Sequence, residues 1–202
     1  MQKITIPKEF NGNIFITSDH HFNHFNIIKY CNRPFSNIGE MNNTLVNNWN
    51  SVVTDKDIVF HLGDFCFGDR KEWRKWINQL SFSQIHLIQG NHDRLSDIPS
   101  EMFSSVNDMM MLTVEDEELD SGKMSLFLCH YCMVAWPGQW RGVTHCFGHS
   151  HTSPYSNKQK DVDYIGRRPL PSYDVGVDNN NFTPVSYDEL KIIFTQQLLY
   201  GK

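Results

Sequence analysis

Ten histidines stand out in this chain of 202 residues, and most of them lie beside Asp, Asn or Gly at the ends of short apolar runs. In chain order those ends read Ser18-Asp19-His20-His21, His61-Leu62-Gly63-Asp64, Gln89-Gly90-Asn91-His92-Asp93, Cys129-His130-Tyr131 and Phe147-Gly148-His149-Ser150-His151. Mixed carboxylate, imidazole and carboxamide donors suit manganese, iron, nickel, cobalt or zinc and disfavour calcium. In an extended segment residues two apart point to one side, so Asp19 with His21, and His149 with His151, can each meet a single ion. Gly90 and Gly148 permit sharp turns where the chain must leave its strand. One Asp-x-His pair arises often by chance. An ordered set of five such run ends implies a convergent site.

The elements that must position these residues can be read from the same runs. Ile14–Ile16, Ile58–Phe60, Ile85–Ile88, Ser125–Leu128, Thr144–Phe147 and Val175–Val177 are short and rich in Ile, Val and Phe, which predicts buried strands. Asn37 followed by Glu40 resembles a helix cap, and Met41, Leu45 and Trp49 then mark one helix face. Residues 70–80, with Trp73, Trp76, Ile77 and Leu80, repeat that pattern. Residues 190–199 fit a final strand or a short helix. Strand and helix alternate in the first half and strands dominate the second, so a sandwich of two sheets flanked by helices is expected. Ligands of open α/β sheets bind beyond the carboxyl ends of the strands, where these residues stand.

Composition sets outer bounds. The length predicts one domain, 1–202, and 40% hydrophobic with 20% charged residues is ordinary globular usage. A formal net charge of -5 supplies no extended cationic surface for nucleic acid. The N-terminus lacks an apolar leader and no run approaches a membrane span. Five cysteines without a disulfide spacing predict a reducing, cytoplasmic setting, with Cys129-x-x-Cys132 read as buried thiols.

The series Asp-x-His, Gly-Asp, Gly-Asn-His-Asp, His, Gly-His-x-His, from Asp19 to His151, resembles the signature of the calcineurin-like metallophosphoesterases. His21-Phe22-Asn23-His24, Asn32-Arg33-Pro34-Phe35 and Val175-Gly176-Val177-Asp178 are similar to a subgroup of small bacterial and phage members. The resemblance implies an αββα sandwich of two mixed sheets with a dinuclear metal site at the strand C-terminal ends. It implies that Asp19, His21, Asp64 and His151 hold one ion and that Asp64, Asn91, His130 and His149 hold the other, with Asp64 bridging. His92 would be catalytic, and Asp93 would either orient it or form an ordinary salt bridge. Manganese is the expected ion. Two divalent ions against two carboxylates leave a positive cavity, which a phosphate ester needs. Hydrolysis would then proceed by attack of a hydroxide held between the ions.

The implied reaction is a phosphodiesterase acting on a small nucleotide-type or cyclic-nucleotide ester. A phosphomonoesterase or a nuclease of the same fold is the alternative, and a non-catalytic protein-binding scaffold is more remote because every ligand position and His92 are present. The Gly-Asp-x-x-Asp-Arg text of Ser/Thr phosphatases is absent, since Phe65, Cys66, Phe67 and Gly68 follow Asp64. His24 and Arg33 are candidates for substrate contact, Arg33 equally for an ion pair. Trp140 and Arg141, after His130, and Arg168, after His151, would either grip a base and a second phosphate or serve as packing and solvated loop. Homo-oligomer formation stays open.

Overall fold

The computed structural model describes residues 1–151 and 171–200. Ten strands and four helices follow one another in this region: β1 Gln2–Ile6, β2 Ile14–Thr17, α1 Phe25–Tyr30, α2 Ile38–Val52, β3 Ile58–His61, α3 Arg70–Ile77, β4 Gln84–Ile88, β5 Ser105–Asn107, β6 Met109–Glu115, β7 Lys123–Cys129, β8 Thr144–Phe147, β9 Ser172–Asp174, β10 Val185–Ser186 and α4 Tyr187–Tyr200. They form two mixed five-stranded sheets flanked by helices. One sheet runs β1-β6-β7-β8-β9 and the other β10-β2-β3-β4-β5. Strands β2 to β5 are parallel to one another, as are β7 to β9, so within each run every carboxyl end faces the same edge.

Strands β2 and β3 are buried at every position because both faces of their sheet are covered. Ile14, Ile16, Ile58 and Phe60 point inward against Met110, Leu112, Leu126 and Leu128 of the facing sheet. The alternate residues Phe15, Val59, Ile85 and Leu87 point outward, onto Met41, Leu45 and Trp49 of α2 and Trp73, Trp76 and Ile77 of α3. Each such fully buried side chain contributes roughly 1.5–3 kcal/mol. Local chemistry starts both helices where that packing needs them. Asn37 Oδ1 accepts from the Glu40 amide, and Asp69 Oδ1 accepts from the Lys71 and Glu72 amides.

Several elements depart from the sequence reading or were not in it. Val175–Val177 is no strand: β9 lies just before it, and a 3₁₀ turn, Val177–Asn179, follows. Of the two options read for residues 190–199, a strand or a helix, the helix is the one formed, and it inserts Leu190 and Phe194 into the core between the sheets. The helix α1, with no side-chain cap, had no signal in the sequence.

Candidate metal centre

The chain leaves β2 at Thr17 and does not stay extended. Asp19 and His21 each adopt positive φ, 61° and 52°, as do Asp64 at 54°, His149 at 65° and His151 at 44°. Spacing in an extended strand is therefore not what gathers Asp19 with His21 or His149 with His151. Left-handed backbone turns each side chain into the cleft instead, at a cost on the order of 1–3 kcal/mol per non-glycine residue. The surroundings hold these turns firmly. The amides of Asp19, His21 and Phe22 donate to the carbonyls of Gly63, Asp64 and Phe65, zipping the two loops together. Gly90 and Gly148 lie against carboxylates, and a Cβ would collide with Asp64 Oδ1 at the first and with Asp19 Oδ2 at the second.

Two triads result. Ligand atoms of Asp19, His21 and His151 lie within 4.8 Å of one another, and so do those of Asp64, His130 and His149. Asp64 Oδ2 stands between them, 3.5 Å from His21 Nε2 and 3.5 Å from His130 Nε2. Its other oxygen accepts the His92 amide at 2.8 Å. Asn91 Oδ1 lies 3.0 Å from His130 Nε2, adjoining the second triad. His130 Nδ1 donates to the Leu62 carbonyl, which leaves Nε2 with its lone pair toward the cleft.

The donor set fits divalent cations. Asp19 Oδ1 and His21 Nε2 are buried and have no hydrogen-bond partner, a costly state for a carboxylate unless a cation stands beside it. Burial keeps His21 well below the usual histidine range, in the neutral form that a metal requires. At His151, burial opposes a proton, but Asp178, Cys31 and Asp19 outweigh it and push the ring up to about 11. Surroundings that hold a proton so strongly are suited to a cation.

Behind the first triad lies a buried relay. His151 Nδ1 and Asp178 Oδ2 are 2.6 Å apart, and Asp178 takes both arms of the Arg33 guanidinium at 2.8 Å. Arg33 also donates to the carbonyls of Asp19 and His20. Only 4% exposed, it cannot serve as a substrate contact, and its charge is used to fix the loop that carries Asp19 and His21. Asp178 appeared in the sequence only within a local motif. No signal there could connect it to His151.

Asp93 also differs from expectation. Its carboxylate accepts the amides of Asp64, Phe65 and Gly90, so it neither orients the His92 ring nor forms a salt bridge among the described residues. It clamps the Asp64 loop to the loop after β4. Burial, reinforced by Asp64, raises its carboxyl to about 7. His92 belongs to neither triad, and its exposed ring stands 5.4 Å from that of His21. His24 reaches the rim, with Nδ1 3.3 Å from His21 Nδ1. Tyr131, not singled out from sequence, packs at 5.1 Å from His130 and 4.8 Å from His149. Trp140 is 93% exposed and Arg141 is exposed, whereas Trp136 is buried with Phe127 and Cys129. Arg168 lies outside the described residues. None of the five cysteines forms a disulfide. Among the described residues no helix is long and apolar enough to cross a membrane.

Comparison with known proteins adds three findings. The calcineurin-like phosphoesterase superfamily domain matches residues 13–165. The uncharacterized protein MJ1445 of Methanocaldococcus jannaschii is 53% identical over 85 residues, 42% of this chain, and the chain spans 48% of that relative's length. A crystal structure of AQ665, a protein of unknown function from Aquifex aeolicus, superposes with a TM-score of 0.65 at 22% identity, covering 91% of this chain and all of that one. At that identity the second likeness concerns the fold.

Proposed function

This chain belongs to the calcineurin-like phosphoesterase superfamily, and on that premise we propose that it is a dinuclear metal-dependent phosphodiesterase acting on a small nucleotide-type or cyclic-nucleotide ester. The observation that carries the reading is the pair of triads with Asp64 Oδ2 3.5 Å from both His21 Nε2 and His130 Nε2, and with Asp19 Oδ1 and His21 Nε2 of the first triad buried and unpartnered. Asp19, His21, Asp64 and His151 would hold one ion, and Asp64, Asn91, His130 and His149 the other. When bound, such ions neutralise phosphate oxygens and make an attacking water acidic. Manganese is the ion to test first.

The protein's own groups have separable tasks. Asp64 keeps one oxygen on the His92 amide and offers the other to the cleft. The Asp178 carboxylate, itself held by Arg33, takes the Nδ1 proton of His151 in a hydrogen bond, so a metal ion would meet Nε2. His92, exposed beside the cleft, gives a proton to the departing oxygen or a hydrogen bond to the phosphate. The elements β1 and α4, near the two ends of the chain, both pack into the core between the sheets, which supports reading 1–202 as one metallophosphoesterase domain.

The test is a panel of bis-p-nitrophenyl phosphate, p-nitrophenyl phosphate, cyclic nucleotides and short oligonucleotides with manganese-loaded protein. The proposal expects turnover of the diesters above the monoester. Faster turnover of the monoester would replace it with a phosphatase.

A further inference from the structure

Beyond the triads, a cleft of about 340 Å³ opens on the outer side of His92, lined also by Phe67, Gly68, Asp69, Arg94 and Asp97. It shares His92, whose ring stands 5.4 Å from that of His21, with the edge of the triads, so a group attached to a phosphate held there can reach it. Phe67 is 49% exposed, unusual for a large apolar ring beside a polar site. One face lies on the His24 ring at 4.6 Å and 16°, and its centroid is 6.5 Å from His92. The backbone beneath is pinned, with the Phe67 amide donating to Phe22 and its carbonyl accepting from Asn23 Nδ2. The ring is thus a fixed platform with surface to spare.

The opposite lining is polar and only partly committed. Asp69 uses its carboxylate to cap α3. Asp97 accepts from Ser96, and Arg94, exposed, has no side-chain hydrogen bond or ion pair among the described residues. An aromatic platform beside an uncommitted guanidinium fits a flat ring with acceptor atoms on its edge.

We infer that this cleft is the subsite for a nucleoside leaving group, its base stacked on Phe67 and its acceptor atoms met by Arg94. The inference rests on the phosphoesterase reading, since the phosphate must lie at the triads for the base to reach Phe67. It moves the recognition of the base away from Trp140, to the His92 side of the centre.

Calorimetric titration of AMP and of inorganic phosphate into manganese-loaded protein separates the two claims, because neither ligand needs to turn over. AMP should bind at least tenfold tighter than phosphate. Phe67→Ala should weaken AMP at least fivefold, the range of base–aromatic stacking, and leave phosphate within twofold. Phe67→Trp should restore AMP binding, and Arg94→Ala should weaken it at least threefold. An AMP affinity no better than that of phosphate, or one unmoved in Phe67→Ala, would overturn the subsite, as would equal losses for both ligands. Loss of phosphate binding in the wild type, together with no hydrolysis of bis-p-nitrophenyl phosphate, would instead overturn the phosphoesterase reading.

Discussion

His92 contributes to the centre through two different groups. Its amide donates to Asp64 Oδ1 at 2.8 Å, so the backbone fixes the carboxylate placed between the triads. Its ring faces outward and belongs to neither triad. Substitution by alanine removes the ring and keeps the amide. His92→Ala should therefore retain its full complement of manganese while turnover falls about 10²–10⁴-fold, the usual worth of a general acid. Metal analysis and single-turnover assays on the same preparation check this. Loss of metal would make the ring a ligand, and near-normal turnover would remove it from the reaction. Asp93, its neighbour in sequence, acts on the other side of that division. Its carboxylate binds three backbone amides and so concerns the position of Asp64.

At the scale of elements, the centre is made by what happens just past the strands. The loops after β2, β3 and β8 all pass through left-handed backbone, and the segment after β9 supplies Asp178 behind them. Partners behind a ligating histidine typically set metal affinity by about 10–100-fold. Asp178→Asn should thus weaken the ion held by Asp19, His21 and His151 by that order while sparing the other site. Calorimetry would then show one tight equivalent of manganese in place of two, and equal loss at both sites would show Asp178 to support the whole fold instead. The same elements explain what could be read in advance. Strands such as β2 and β3 were legible because alternate side chains feed two apolar layers, and the ligand residues because five run ends carry them in order. The strand β6 was hidden by a Met-Met-Met run with weak strand character, and β9 by its polar text Ser-Tyr-Asp. Left-handed turns at Asp19 and His21 leave no mark in residue type beyond a general tolerance of Asp and His for them. The pairing of Arg33 with Asp178, 145 positions apart, is a product of topology alone.

Over the whole molecule, burial of histidines links stability to pH. His86, hydrogen-bonded to Ser105 at 2.8 Å, and His145, donating to the Phe127 carbonyl at 3.0 Å, are both pushed down to about 4 by burial. An unfolded histidine titrates near 6.5. Their contribution is fully present above that value and is lost as pH falls toward 4, because the unfolded chain takes up the protons first. Buried Asp93 and Asp174 shift upward and act in the opposite sense, so the informative quantity is a difference between proteins. Between pH 7 and 4.5 the Tm of His86→Gln should fall by several degrees less than that of the wild type, and parallel falls would show that His86 is not part of the linkage. The central claim is that two metal ions meet at one carboxylate, and its most direct measurement is a manganese titration of chelator-stripped protein, wild type beside Asp64→Asn, followed by both calorimetry and hydrolysis of bis-p-nitrophenyl phosphate. The wild type should bind two equivalents and gain activity as the second is filled, and Asp64→Asn should lose affinity at both sites together and most of its turnover. Two undiminished equivalents with normal hydrolysis in Asp64→Asn, or full activity of the wild type without metal, would contradict it.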